Sequence, residues 1–182
     1  IPVATQAASA PATLKTLLGK VRSRTKVDFS QYKEPTLWRR IERRMAANHV
    51  STLQDYLKVV DDTPVELDRL CKDILISVTA FFRDSDAFAR LEKVIGDILA
   101  NKQPGDDIRI WTAGCATGEE AYSLAILFSE RLGASFDQYR LQIFATDIDL
   151  DAMALARRGV FAASSLAHMD RNRIRTHFTP HG

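Results

Sequence analysis

Cysteine is scarce in this chain, and the two present, Cys71 and Cys115, stand alone. No Cys-x-x-C pair occurs, which argues against a disulfide framework and against a zinc site. Histidine is thin too: His49, His168, His177 and His181 lack metal-ligand spacing, so no metal is expected. No apolar run approaches the roughly 18 residues of a membrane span. No basic segment leads into an apolar core, so no secretory signal is read and a cytoplasmic protein is expected. An excess of one charge is also missing. The net charge of +2 means that an electrostatic partner must be read by a local patch. The glycine loop described below lacks the Gly-Lys-[Ser/Thr] ending of a phosphate loop.

What is present is an ordinary globular composition, 46% hydrophobic and 26% charged. Residues 1–12 are Ala/Pro-rich and read as a linker. Helical periodicity follows over 12–23, 36–48, 51–60, from Pro64 through Leu75, and over 84–100, with Pro35 at a helix start and Ser51 as an N-cap. The 36–48 helix is amphipathic. Leu37, Trp38, Ile41 and Met45 share one side, while Arg39, Arg40, Arg43 and Arg44 form a basic surface on the other. Pro104-Gly105 breaks this helical grammar. Strand, helix, strand and helix then alternate over 108–112, 118–132, 141–146 and 150–158, followed by two short helical stretches. The expectation is an all-helical domain over 13–101 and the first part of a parallel, Rossmann-like α/β domain over 102–182.

The chemistry concentrates in three places. Ile108 to Trp111 is a β-branched and aromatic strand that runs into Gly114-Cys115-Ala116-Thr117-Gly118 and then Glu119-Glu120. Only small residues let a backbone fold so tightly and let a ligand approach it. Open α/β sheets hold adenosine-type ligands at this position, the carboxyl end of the first strand. Glu119 and Glu120 suit the positive end of a helix, and would equally complement a cationic sulfonium or amino group. The second strand ends in Thr146-Asp147-Ile148-Asp149. Asp147 is placed to bond ribose hydroxyls, with Asp149 preferred as the cap of the next helix. In Ser77-Val78-Thr79-Ala80-Phe81-Phe82-Arg83-Asp84, Thr79 and Arg83 are four residues apart. On a helix they would face one site, where Arg83 could clamp a carboxylate. Cys115 lacks a partner base and is read as packing.

Taken together, Thr79-Ala-Phe-Phe-Arg-Asp84, Trp111-Thr-Ala-Gly-Cys-Ala-Thr-Gly-Glu-Glu-Ala-Tyr-Ser123 and Ala145-Thr-Asp-Ile-Asp149 resemble the chemotaxis receptor methyltransferases. The basic helix and Ala154-Leu-Ala-Arg-Arg-Gly159 also look like that family, and the likeness runs from about Ser23 onward. The Ala/Pro-rich start resembles the linker of methylesterase/methyltransferase hybrids. The resemblance implies a protein-glutamate O-methyltransferase that uses S-adenosylmethionine and releases S-adenosylhomocysteine, acting on the cytoplasmic domain of chemotaxis receptors. It implies cofactor contacts from Ser77, Thr79, Arg83, Gly114, Glu119 and Asp147. Arg83 would hold the methionine carboxylate and Asp147 the ribose. Ser77 stands where many members have Asn. The basic helix, through Arg39, Arg40, Arg43 and Arg44, would dock on the receptor.

A carboxylate nucleophile is already ionised near pH 7, so methyl transfer to it requires no catalytic triad. The family's chain continues with more strands and further contacts. The expectation is therefore that this chain is a fragment, inactive or nearly so by itself, which could exchange elements with a second copy. Two other readings compete. One is a non-catalytic receptor-docking or cofactor-sensing module. The other is a methyltransferase for nucleic acid or a small molecule, although no interleaved aromatics or known motif mark a nucleic-acid surface.

Overall fold

The computed structural model describes residues 10–75 and 78–181. The chain forms two compact units, Ile1–Ile76 and Ser77–Gly182.

The first unit is entirely helical among its described residues: α1 (Ala10–Thr25), α2 (Glu34–Ala47), α3 (Leu53–Asp62) and α4 (Val65–Ile74). α1 begins at Ala10, so the last three residues of the expected 1–12 linker are helical. Pro11 is tolerated there because a first-turn residue has no intrahelical use for an N–H. The rest of that segment lies outside the described residues. Pro35 sits in the first turn of α2, as its sequence position suggests. α3 is capped by Thr52 rather than the expected Ser51. The Thr52 hydroxyl accepts the Asp55 N–H at 3.1 Å, which answers one of the orphan donors of the first turn. Leu17 and Val21 of α1, Leu37 and Ile41 of α2, Tyr56 and Val60 of α3, and Leu70 and Ile74 of α4 make the core. Each buried aliphatic side chain there contributes about 1.5–3 kcal/mol.

The second unit holds α5 (Ser85–Ala100), β1 (Asp107–Ala113), α6 (Glu119–Leu132), β2 (Arg140–Thr146), α7 (Leu150–Arg158) and α8 (Arg171–His177). β1 and β2 pair in parallel, from Asp107 opposite Arg140 to Ala113 opposite Thr146. This is the β-α-β-α opening of a Rossmann-like sheet, preceded in the chain by an all-helical domain. Period-two alternation turns Ile108, Ile110 and Thr112 toward the helices and leaves Trp111 and Phe144 exposed on the opposite face. α5 corrects the expected domain boundary at 101/102. Its Ile95 clusters with Ile108 of β1 and with Leu127 and Phe128 of α6, so this helix belongs to the α/β unit.

Candidate functional site

The carboxyl ends of the two strands meet a tightly folded loop. Gly114 and Gly118 take φ of 72° and 102°, and Ala116 takes 50°. The backbone N–H groups of Gly114 and Cys115 donate to the Thr146 carbonyl at 2.7 and 3.1 Å, which ties the loop to the end of β2. One Asp147 oxygen accepts the Ala116 N–H at 2.7 Å, and the other accepts the Asp149 N–H at 2.8 Å. An ionised carboxylate offers about four lone-pair sites, so both oxygens keep acceptor capacity. The choice between the two aspartates as cap is answered by Asp149, which accepts the N–H groups of Asp151 and Ala152 at 2.9 and 3.1 Å. A Cβ on Gly118 would lie 3.0 Å from the Ala156 Cβ, whereas one on Gly114 would meet nothing within 4 Å. Gly118 is therefore needed for close packing on α7, and Gly114 presents open backbone.

α6 opens with a buried acid. Glu119 is 6% exposed, and the Thr117 hydroxyl donates to it at 2.6 Å. Glu120 accepts the Thr112 hydroxyl. One turn on, the buried Ser123 hydroxyl donates to the Glu119 carbonyl at 2.7 Å and accepts the Phe82 N–H at 3.0 Å. The turn that carries Arg83 is thereby anchored to α6. Sequence reasoning gave Ser123 no role. The signal was a hydroxyl flanked by apolar residues and one turn beyond Glu119, where the helix faces inward.

The expected helical juxtaposition of Thr79 and Arg83 does not form. Residues 78–80 lie outside any helix or strand, and α5 begins only at Ser85. Phe82 and Asp84 both adopt left-handed φ, 51° and 60°, which a helix through Arg83 forbids. Thr79 is half-buried, and Arg83 is exposed and donates to the Val78 carbonyl. Ser77 lies outside the described residues. The structure thus joins Asp147 to the glycine loop, and joins the Arg83 turn to the Glu119 end of α6.

Cys115 is buried with its sulfur 3.4 Å from that of Met153. Burial, and then the Asp147 charge, push its thiol up, the reverse of what a nucleophile needs. Among the described residues, no cluster of three His, Cys, Asp or Glu side chains is arranged to hold a metal. No helix there is long and apolar enough to cross a membrane.

The basic surface of α2 is smaller than the sequence suggested. Arg39 and Arg43 are exposed and Arg40 is half-buried. Arg44 points inward instead. Its Nε and one terminal nitrogen each donate at 2.7 Å to the two oxygens of Glu66, a side chain 1% exposed. The reason is visible in the spacing: Arg44 falls three residues after Ile41 and seven after Leu37, on the buried stripe. The Glu66 carboxylate also accepts from Asn48 at 2.9 Å and from the Tyr56 hydroxyl at 3.0 Å. Burial and the Glu66 charge raise the Tyr56 hydroxyl far above its ordinary range.

Two family descriptions match the chain. Residues 12–75 match the all-alpha domain of the CheR methyltransferases, and residues 77–182 match their SAM binding domain. A Rhodobacter capsulatus protein named "Uncharacterized 104.1 kDa protein in hypE 3'region" is 43% identical over 157 residues, 86% of this chain and 16% of that protein. Chemotaxis protein methyltransferase 2 of Pseudomonas aeruginosa is 32% identical over 145 residues, 80% of this chain and 50% of the enzyme. The chemotaxis protein methyltransferase of Salmonella typhimurium is 26% identical over 160 residues, 87% of this chain and 53% of the enzyme. The chain spans about half the length of these two methyltransferases.

Proposed function

Because the chain belongs to the CheR methyltransferase family, with S-adenosylmethionine the cofactor of its second unit, we propose that the intact protein methylates glutamate side chains of chemotaxis receptors in the cytoplasm. The observation that supports this reading best is the Asp147 carboxylate bonded to the Ala116 N–H at 2.7 Å. It pins a small-residue loop across the ends of two parallel strands, where an adenosine-type ligand is accommodated.

The residues fit that cofactor. Gly114 offers backbone with nothing within 4 Å of an added Cβ, so a ligand can lie directly against it. Asp147 retains lone pairs for ribose hydroxyls while it holds the loop. Glu119 places a buried negative charge beside that loop, which suits a cationic ligand rather than a phosphate. Arg83, with Thr79 near it in the chain, would take the amino-acid carboxylate. When bound, S-adenosylmethionine supplies a methyl group on a sulfonium, a leaving group good enough for direct displacement by a carboxylate oxygen. The protein's part is to align the two reactants and exclude water. That division of labour agrees with a buried, unactivated Cys115. Docking on the receptor is assigned to Arg39, Arg40 and Arg43. Arg44 is removed from that set by its bond to Glu66.

The test is calorimetric titration of S-adenosylhomocysteine into the intact protein, paired with transfer of a labelled methyl group to a receptor cytoplasmic fragment. Binding together with base-labile label on glutamate supports the proposal. Binding with no transfer would replace it with a cofactor-sensing docking module, and no binding would remove the cofactor assignment from this site.

A further inference from the structure

The turn that carries Arg83 is held in an unusual backbone by residues far away in the sequence. Arg83 lies between Phe82 and Asp84, at φ 51° and 60°. An aromatic residue with left-handed φ persists only when its surroundings over-determine it, and such strain concentrates where geometry matters. Three contacts hold Phe82. Its N–H donates to the buried Ser123 hydroxyl at 3.0 Å. Its ring meets Phe88 edge to face, with centroids 5.2 Å apart. On the ring also rests the Arg173 guanidinium, 4.3 Å from the centroid.

Arg173 is itself locked. Its Nε and a terminal nitrogen donate at 2.8 Å to the two oxygens of Glu130 on α6. His177, one turn further along α8, lies 3.8 Å from the same carboxylate. The neighbouring Phe81 ring is gripped from the same direction by Phe178, just past α8, with centroids 5.3 Å apart. Both aromatic side chains of the turn are thus clamped by α8 and its flank, which are anchored on α6. A planar guanidinium suits this place because it can pair with a carboxylate through two parallel bonds and stack on a ring at the same time.

We propose that Arg173, fixed by Glu130, is a positioning residue that holds the Phe82 turn so that Arg83 stands ready for the amino-acid carboxylate of the cofactor. This rests on the assignment of Arg83 made above. Arg173 need not touch the ligand. Its effect passes through Phe82, and therefore falls only on the part of the ligand that Arg83 contacts.

That selectivity supplies the test. The intact protein and its Arg83→Gln, Arg173→Gln and Glu130→Gln variants are titrated with S-adenosylhomocysteine and with methylthioadenosine, which lacks the amino-acid carboxylate. Arg173→Gln is expected to weaken S-adenosylhomocysteine binding about tenfold while leaving methylthioadenosine within about twofold. Arg83→Gln should show the same selectivity, and Glu130→Gln should follow Arg173→Gln. Arg173→Lys keeps the cation but not the stacked fork, and carries the comparison if the glutamine variant does not fold. Equal weakening of both ligands by Arg173→Gln would make Arg173 merely structural and overturn the inference. So would an unchanged affinity for both. Wild-type protein that does not bind S-adenosylhomocysteine, or an Arg83→Gln variant that binds it normally, would instead reject the underlying assignment and the inference with it.

Discussion

Asp147 holds Ala116 by a single short bond, carboxylate oxygen to backbone N–H at 2.7 Å, and Ala116 is the one non-glycine residue of the loop with left-handed φ. Strain of that kind costs about 1–3 kcal/mol and must be offset locally. Asp147→Ala leaves the Ala116 N–H, on a residue 7% exposed, with no acceptor. The expected loss is about 1–3 kcal/mol of stability, read by denaturant titration, together with loss of S-adenosylhomocysteine binding. Asp147→Asn is not a silent control. Its amide nitrogen must face one of two backbone N–H donors, from Ala116 or Asp149. It should therefore destabilise as well, and an unchanged midpoint for both variants would show that the loop does not depend on this carboxylate.

Gly118→Ala is expected to destabilise for two separable reasons. The backbone sits at φ 102°, and the new Cβ would come within 3.0 Å of the Ala156 Cβ and 3.3 Å of its Cα. Overpacking alone costs about 1–3 kcal/mol. Ala156→Gly clears the space without relieving the backbone. The double variant should therefore melt below wild type but above the value that adding the two single effects gives. Strict additivity in thermal melts would mean that the contact with α7 is not what requires glycine here.

The strand–loop–helix segment was legible because its physics is local. Alternating Ile108 and Ile110 define the strand, small residues supply the positive φ values, and Asp149 sits where an N-cap must sit. What escaped the sequence depends on partners distant along the chain. The amphipathic pattern of α5 shows that it buries a face, but not that Ile95 buries it against Leu127 and Phe128. Thr79 and Arg83 have helical spacing, yet the Ser123 hydroxyl captures the Phe82 N–H and stabilises a left-handed turn in its place. Arg44 looked like surface because arginine usually is, although its position after Leu37 and Ile41 is inward. The matching signal was Glu66, four residues before Leu70 and eight before Ile74, on the buried stripe of α4. Opposite charges on the inward stripes of two amphipathic helices are the sequence mark of a buried pair.

That pair leads to an acid-sensitive helical unit. Glu66 is 1% exposed and accepts from Arg44, Asn48 and Tyr56. Burial by itself would raise its carboxyl, but the hydrogen bonds from Arg44, Tyr56 and Asn48 outweigh this and hold it below the usual range. A folded-state value below the unfolded value, about 4.3, gives a contribution fully present above that pH and lost as pH falls through the folded value. Stability of the first unit should therefore be level from neutral pH to about 5 and fall below about 4. Guanidinium melts followed by Trp38 fluorescence in a Trp111→Phe background would read it. Glu66→Gln should destabilise by about 3–5 kcal/mol at pH 7, because Arg44 is left largely buried without its two-bond partner, and should flatten the acid limb. Arg44→Met with Glu66→Leu should recover much of that loss, since removing both charges also removes the cost of burying them. An acid limb that survives in Glu66→Gln would place the titrating group elsewhere.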